Sequence, residues 1–192
     1  MSAENERRTN IIANAARLLS DAKYLSDNKR FGSAFALSVL ALEEIGKVVL
    51  DIWNASAPLA SPKGSSAHLR KQMAIAALLL ADRAVAEVGD ADIEDAIPDE
   101  LVERVAQAMY ESDAGKFSMH VNIGALDKTK QLALYRDDWF EAAGLYSSSF
   151  DDADVTGMFY RAKSAIAAVG VPKIMRAARA IYERSSVIVP LK

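Results

Sequence analysis

Apolar residues recur at helical spacing along most of the chain. Thr9 or Asn10 is placed to cap a first helix, which carries its apolar side chains on one face and ends near Asn28. A second helix, Phe31–Trp53, is apolar nearly all round in its first half, and this indicates burial. Because the connection over residues 27–30 is short, the two helices are predicted to form an antiparallel hairpin.

The rest of the sequence continues this helical pattern. Ser56–Ser66, rich in Ser, Pro and Gly, is predicted to be a loop. A break is predicted at Gly170–Pro172, since proline disfavours a helical conformation in the residue before it. Further helices are predicted over Ser66–Glu87, from Pro98 onward, over about His120–Tyr135 and over Ala153–Ser186. The sequence thus predicts an all-α fold, with a single helical domain over residues 1–192.

Composition narrows the classes of function. A net charge of -3 argues against a protein that binds nucleic acid by bulk phosphate neutralisation, although a local basic patch is compatible with it. The absence of cysteine excludes disulfides, a thiol nucleophile and cysteine-ligated zinc. The polar N-terminal segment lacks the apolar core of a signal peptide, and the longest apolar run is too short to span a bilayer. We therefore expect a cytoplasmic protein with no membrane partner.

The second helix carries a cluster of charges in its otherwise apolar sequence. Glu43, Glu44, Lys47 and Asp51 fall within about a quarter turn of the helix. If the carboxylates are buried, they must be paired with cations or strong donors, because desolvating an unpaired charge is costly. The candidate partners are Lys47, His68, Arg70 and Lys71. Two interpretations stay open: a structural or dimer-interface network of Glu43, Glu44 and Lys47, or a functional polar site.

A second group of polar residues opens the third predicted helix. His68 shares one helical face with Lys71 and Gln72, and Arg70 lies between them in the sequence. Such a group could bind phosphate, and His68 is one of only two histidines available for acid/base chemistry. The alternative is a solvated or capping histidine.

A third group lies where the predicted helix over His120–Tyr135 ends. Its members are polar or ionisable residues that could contact RNA or a partner: Lys130, Tyr135, Arg136 and Asp137. Trp139 and Phe140 follow directly and could stack on a base or pack on the domain.

Three motifs in these segments resemble those of AbiV-type abortive infection proteins, a branch of the HEPN superfamily. They are SAFALSVLALEEIGK over Ser33–Lys47, the His68-x-x-Lys71-Gln72 pattern and the Tyr135-x-Asp137 pattern. The resemblance covers about Asn10 to Asp137. It implies a HEPN-like helical bundle with extra C-terminal helices. It also implies a toxin-like homodimer that arrests growth or translation in phage-infected bacteria, with a phage-encoded activator and with RNA or the ribosome as target.

The sequence departs from many HEPN ribonucleases in one respect. Those enzymes place an arginine and a histidine about four to six residues apart on one helix for acid/base cleavage of RNA. Here the nearest arginine before His68 is Arg30, and the nearest before His120 is Arg104. Whether the protein is an enzyme is therefore left open.

Three functions follow from these observations. The first is an effector that binds RNA or the translation machinery through Arg70, Gln72, Lys130, Tyr135, Arg136 and Asp137. The second is a metal-independent ribonuclease that uses His68, Lys71, Glu43 and Lys47. The third is a dimeric scaffold without catalysis. No metal site and no cofactor are predicted, because the motifs of the common metal and nucleotide sites are absent.

Overall fold

The computed structural model describes residues 3–56, 58–59, 66–88, 107, 110–134 and 150–185. This part of the chain contains no strand, and its helices are α1 Ala3–Asp27, α2 Phe31–Ser56, α3 Ala67–Val88, α4 Asp113–Asn122, α5 Ala125–Leu134, α6 Asp152–Val169 and α7 Pro172–Ser185. The prediction of an all-α, HEPN-like bundle is confirmed. The single domain over residues 1–192 stays a prediction.

Helices α1 and α2 form the predicted hairpin. The chain reverses over residues 28–30, where Lys29 adopts a left-handed conformation with φ of 60°, and Arg30 N donates to Leu25 O at 2.9 Å. The predicted start of α1 after Thr9 or Asn10 is wrong, because the helix begins at Ala3. Thr9 Oγ1 instead donates to Asn5 O at 2.9 Å, so its hydroxyl bonds back within the helix. Glu4 and Glu6 in the first turn favour the earlier start through the helix dipole.

Helix α2 is the centre of the bundle. It packs against α1, α3, α5 and α6, while α3 packs in turn against α4 and α7. The backbones of α2 and α3 approach closely at Gly46, where a Cβ atom would overlap with the carbonyl group of Lys71. This approach brings the charged segment of α2 against the first turns of α3.

The predicted helix over His120–Tyr135 is two helices. The first, α4, begins seven residues earlier than predicted, where Ser112 caps it by accepting a hydrogen bond from Gly115 N. The chain breaks at Ile123 and at Gly124, whose φ of 70° suits glycine. The second, α5, buries Leu126, Lys130 and Ala133. A lysine thus occupies a position in the apolar stripe.

The two C-terminal helices are part of the common core. The predicted break at Gly170–Pro172 is confirmed: α6 ends at Val169, and α7 begins at Pro172. Trp53 of α2 donates through Nε1 to Met175 O at 3.2 Å and packs on the ring of Tyr182 at 5.3 Å between centroids. All seven helices contribute buried side chains to one hydrophobic cluster.

Two predicted elements lie outside the described residues: most of the loop Ser56–Ser66 and the start of the helix at Pro98. Among the helices that the structure describes, none is long and apolar enough to cross a membrane.

Candidate functional site

Glu43 is a buried carboxylate at the junction of α2, α3 and α5. Only 3% of its side chain is exposed. Oε1 accepts hydrogen bonds from Lys130 Nζ at 2.8 Å and from Gln72 Nε2 at 2.9 Å, and Oε2 lies 2.6 Å from His68 Nδ1. We call Glu43, His68, Gln72, Lys130 and the neighbouring Asp127 the Glu43 cluster.

The cluster keeps its central carboxylate ionised. Burial by itself raises the pKa of Glu43, but the hydrogen bonds from Lys130, His68 and Gln72 outweigh it and lower the pKa below its ordinary value. Burial likewise lowers the pKa of Lys130, and the hydrogen bonds to Asp127 and Glu43 outweigh this effect and raise it. Lys130 and Glu43 therefore form a buried, charged pair.

His68 connects this buried pair to the surface. It lies in the first turn of α3, and 53% of its side chain is exposed. Because the ionised Glu43 can only accept hydrogen bonds, we assign the shared proton to Nδ1 of His68. Nε2, on the other side of the ring, has no hydrogen-bond partner among the described residues. This arrangement leaves one ring nitrogen available to gain or lose a proton.

Asp127 completes a group of three ligand-type side chains with Glu43 and His68. One donor atom from each lies within 4.8 Å of the others, close enough in principle for a metal ion. However, Lys130 Nζ lies 2.8 Å from an oxygen of Glu43 and 2.8 Å from an oxygen of Asp127. The ammonium group thus occupies the place of a cation between the carboxylates, and a metal ion fits only if Lys130 is displaced.

Gln72 is oriented by its bond to Glu43. Its Nε2 donates to the carboxylate, and its Oε1 is buried without a hydrogen-bond partner in the described part of the protein. Exchanging the two amide atoms would place oxygen against carboxylate, so the observed orientation is the favourable one. An unsatisfied buried acceptor lowers the free energy of unfolding by about 1–3 kcal/mol. Gln72 Oε1 carries this cost because Nε2 of the same amide donates to Glu43.

Two residues of the predicted buried network lie outside the Glu43 cluster. Lys47 was expected as the first partner of Glu43, but 46% of its side chain is exposed and its Nζ lies 3.9 Å from Glu44. Glu44 is partly exposed as well. The difference arises because Glu43 points into the contact between α2 and α3, where a side chain from α5 reaches it, whereas Lys47 remains at the surface.

The predicted RNA-binding or partner-binding residues separate into three sets. Gln72 and Lys130 are buried within the Glu43 cluster, so their surroundings do not suit direct contact with RNA. Arg70 lines a surface cleft together with Lys47 and Lys71. Tyr135, Arg136 and Asp137 lie outside the described residues, as do Trp139 and Phe140.

Sequence reasoning missed Asp127 and the pairing of Lys130 with Glu43. A signal for the pairing exists in α5: Leu126, Lys130 and Ala133 follow helical spacing, so Lys130 falls on an apolar face. A lysine in such a position requires a buried counter-charge. Asp127 has the spacing of a helical ion pair with Lys130, at i,i+3.

Comparison with known proteins identifies the family. The HEPN_AbiV family model, described as AbiV, matches residues 5–143. The match includes every helix that contributes to the Glu43 cluster and ends before α6. No curated protein and no solved structure matches the chain significantly.

Proposed function

The chain belongs to the AbiV family of HEPN proteins, and from this membership we propose that it is an abortive-infection effector that arrests phage-infected bacteria by cleaving RNA. The family membership supports the biological setting. The geometry at His68 supports the chemistry.

The observation that carries the proposal is the orientation of His68 by an ionised, buried carboxylate. Glu43 Oε2 lies 2.6 Å from Nδ1, which fixes the ring and leaves Nε2 of this half-exposed side chain to exchange a proton with a substrate. A carboxylate in this role stabilises the imidazolium that forms when the histidine accepts a proton. Proton transfer by a positioned side chain typically contributes about 10²–10⁴-fold to a reaction rate.

The reaction that suits this geometry is cleavage by the RNA 2′-hydroxyl. His68 Nε2 accepts the proton of the 2′-hydroxyl, and O2′ forms a bond to the adjacent phosphorus. The bond from phosphorus to the 5′-oxygen breaks, and that oxygen leaves with a proton from water. The products are a 2′,3′-cyclic phosphate and a free 5′-hydroxyl, and no oxidant or reductant is required. Lys71, on the same helical face as His68, is placed to bind the RNA backbone beside the reacting nucleotide.

The proposal includes two expectations that come from the family resemblance. The effector acts as a homodimer, and it stays inactive in the cytoplasm until a phage-encoded activator releases it. Dimerisation would bring two copies of His68 into one assembly.

A second candidate function is growth arrest by binding RNA or the ribosome without cleavage. The observation that favours it is the absence of an arginine four to six residues before either histidine. Without that pair, the exposed cations near His68 would serve binding alone. A non-catalytic scaffold is the third function, and in that case the Glu43 cluster serves only to fix the positions of three helices.

Induced expression in growing bacteria tests the proposal. Wild type, His68→Ala and His120→Ala are expressed separately while growth is followed and RNA ends are mapped. His120 is the matched control, because it is the other histidine of the chain, is exposed and lies on α4. We expect new RNA ends that carry a 2′,3′-cyclic phosphate in wild type and His120→Ala, and none in His68→Ala.

Each alternative predicts a different result. Growth arrest with intact RNA in all three strains would contradict cleavage and favour the binding effector. Cleavage that persists in His68→Ala would exclude His68 as the acid/base group. If neither arrest nor cleavage occurs even when a phage infects the expressing cells, the scaffold would be favoured.

A further inference from the structure

A surface cleft of about 280 Å³ lies beside His68, between α2, the first turns of α3 and α7. Its lining is formed by Lys47, Leu50, Asp51, Asn54, Leu59, Ala67, Arg70, Lys71 and Tyr182. The volume is small for a drug-sized ligand but sufficient for a phosphate and part of its sugar. Tyr182 belongs to α7, beyond the residues that the family model matches.

The cleft is positively charged although the protein has a net charge of -3. Lys47, Arg70 and Lys71 contribute three cations. Among the described residues of the lining, Asp51 is the one acidic residue, and its carboxylate already forms ion pairs with Arg7 and Arg8 of α1. The lining therefore has an excess of positive charge, which attracts anions locally.

Two of the cations in the cleft, Lys47 and Lys71, are loosely held within the protein. Lys71 forms no ion pair with any residue that the structure describes. The ion pair of Lys47 is a contact of 3.9 Å with Glu44 at the surface, a distance at which exposed pairs contribute little. Both ammonium groups can thus turn toward a ligand at small cost.

Tyr182 adds a neutral hydroxyl-bearing side chain to the cleft. Burial raises the pKa of Tyr182, an effect that the nearby Arg70 reduces. The phenol stays protonated near neutral pH, so it adds no negative charge beside the cations. Tyr182 itself is only 1% exposed, so the partly exposed Leu50 and Leu59 provide the apolar wall against which a sugar can pack.

The position of Lys71 connects the cleft to His68. The two residues are at i,i+3 on α3, a spacing that places Cβ atoms about 5–6 Å apart. Consecutive phosphates of an extended single strand, which are one nucleotide apart, are separated by a similar distance. A phosphate bound by Lys71 and Arg70 would therefore be the neighbour of a phosphate at His68.

We propose that this cleft binds one backbone phosphate of single-stranded RNA, through Lys71, Arg70 and Lys47, and so positions the next nucleotide at His68. The orientation of the RNA relative to His68 rests on the proposed function. Binding of a phosphate in the cleft does not depend on it. We assign recognition to the phosphate and not to a base, since three side chains of the lining are cations. Of the other polar groups, the carboxylate of Asp51 pairs with arginines of α1, and the amide oxygen of Asn54 accepts a hydrogen bond from Leu59 N.

Binding of a labelled oligonucleotide that cannot be cleaved tests the inference. Fluorescence anisotropy is measured with a 12-nucleotide single-stranded DNA, which lacks the 2′-hydroxyl, over a range of salt concentrations. We expect the double variant Arg70→Gln/Lys71→Gln to bind about tenfold more weakly than wild type. Its slope of log affinity against log salt should be shallower by about 0.7 for each lost phosphate contact.

The matched control is Lys163→Gln, which removes an exposed positive charge from α6. Its affinity should remain within about twofold of wild type, because its charge lies outside the cleft. No binding by wild type, or equal losses in the double variant and Lys163→Gln, would overturn the inference. Circular dichroism melting of each variant checks that any loss of binding is not a loss of folding.

Competition separates RNA from free nucleotides as the source of the phosphate. Adenosine monophosphate and inorganic phosphate are added to the labelled complex. Displacement only at much higher concentration than an unlabelled oligonucleotide would support a backbone site. Tight binding of the mononucleotide, lost in the double variant and accompanied by no oligonucleotide binding, would overturn the assignment to RNA.

Two outcomes distinguish this inference from the proposed function. If the cleft variants lose oligonucleotide binding but wild type cleaves no RNA, the cleft is a binding site and the cleavage proposal fails. If wild type cleaves RNA and the double variant has an unchanged KM, the cleavage proposal stands and the cleft inference fails.

Discussion

Two of the three carboxylates on helix α2, Glu43 and Asp51, lie eight residues apart and meet cations in contrasting surroundings. Glu43 is buried at the junction with α3 and α5, where it bonds to Lys130, Gln72 and His68. Asp51 lies nearer the surface, with 24% of its side chain exposed, and pairs with arginines of α1. The two sites have the same kind of chemistry. They differ in burial, and burial decides what each contributes to stability and to function.

Removing the buried cation should have the largest effect. Lys130→Met leaves Glu43 charged, buried and without its ammonium partner, so the free energy of unfolding should fall by about 3–5 kcal/mol. The matched variant Lys47→Met removes a lysine from α2 that is half exposed, and its loss should be under about 0.5 kcal/mol. Urea unfolding measures both. Equal losses would contradict the contrast between buried and exposed pairs.

The close approach of α2 and α3 at Gly46 should come next in magnitude. Gly46→Ala places a Cβ against the backbone carbonyl of Lys71, and the resulting shift should cost about 1–3 kcal/mol. It should also disturb the contact between Glu43 and His68, because both helices must move. The control is Gly157→Ala in α6, where the new Cβ would lie 3.5 Å from the flexible end of Arg161.

Thermal unfolding of the two glycine variants checks this prediction. Gly157→Ala should leave stability unchanged or raise it slightly, since alanine favours a helix and loses less backbone entropy on folding. A neutral Gly46→Ala would show that the helices can separate freely, and the buried cluster would not depend on this approach.

The sequence predicted some of these structural features correctly and missed others. The short connection over residues 27–30 correctly predicted the hairpin of α1 and α2, and the proline correctly predicted the break at Gly170–Pro172, because both depend on local chemistry. The pairing of Glu43 with Lys130 spans 87 positions in the sequence. No spacing rule connects residues so distant, and the local i,i+4 rule instead favoured Lys47.

The first residues of α1 and the division between α4 and α5 show a second limit of sequence reasoning. Thr9 has the chemistry of an N-cap, yet its hydroxyl bonds to Asn5 within the helix. At Gly124, the positive φ ends a helical pattern whose apolar residues continue on both sides. Periodicity alone therefore joins two helices that the backbone separates.

The next effect in size should be the loss of folding stability in acid that is due to Glu43. Burial raises the pKa of Glu43, but its hydrogen bonds lower it below the ordinary value of 4.5. The stability from this group is therefore present above the unfolded-state pKa and is lost as the pH falls through the folded-state pKa. We expect wild type to lose stability below about pH 4.5 more steeply than Glu43→Gln.

Urea unfolding between pH 3 and pH 6 makes this comparison. Glu44→Gln, one residue away at the surface, keeps Glu43 intact and should retain the steep wild-type dependence. If Glu43→Gln shows the same pH dependence as wild type, Glu43 is not ionised in the folded protein and cannot orient His68 as a carboxylate.

The exposed site should give the smallest effect. Asp51→Asn removes the ion pairs with Arg7 and Arg8 near the surface, so the loss in unfolding free energy should be about 1 kcal/mol or less. It should disappear at about 1 M salt, where the Debye length is about 3 Å. The loss in Lys130→Met should persist at that salt concentration, because burial protects the pair from screening. If the loss of unfolding free energy in Asp51→Asn did not depend on salt, Asp51 would behave like the buried Glu43. That result would contradict the contrast between the two carboxylates.

The central claim is that Glu43 fixes the proton of His68 on Nδ1 and leaves Nε2 free. Imidazole ¹⁵N chemical shifts measured by NMR above the histidine pKa test it directly, and the chain has only two histidines, so His120 is an internal reference. We expect the Nδ1–H tautomer to dominate at His68 in wild type and to decline in Glu43→Gln, with His120 unchanged. A wild-type His68 in the Nε2–H tautomer, or a His68 spectrum that does not respond to Glu43→Gln, would contradict the account.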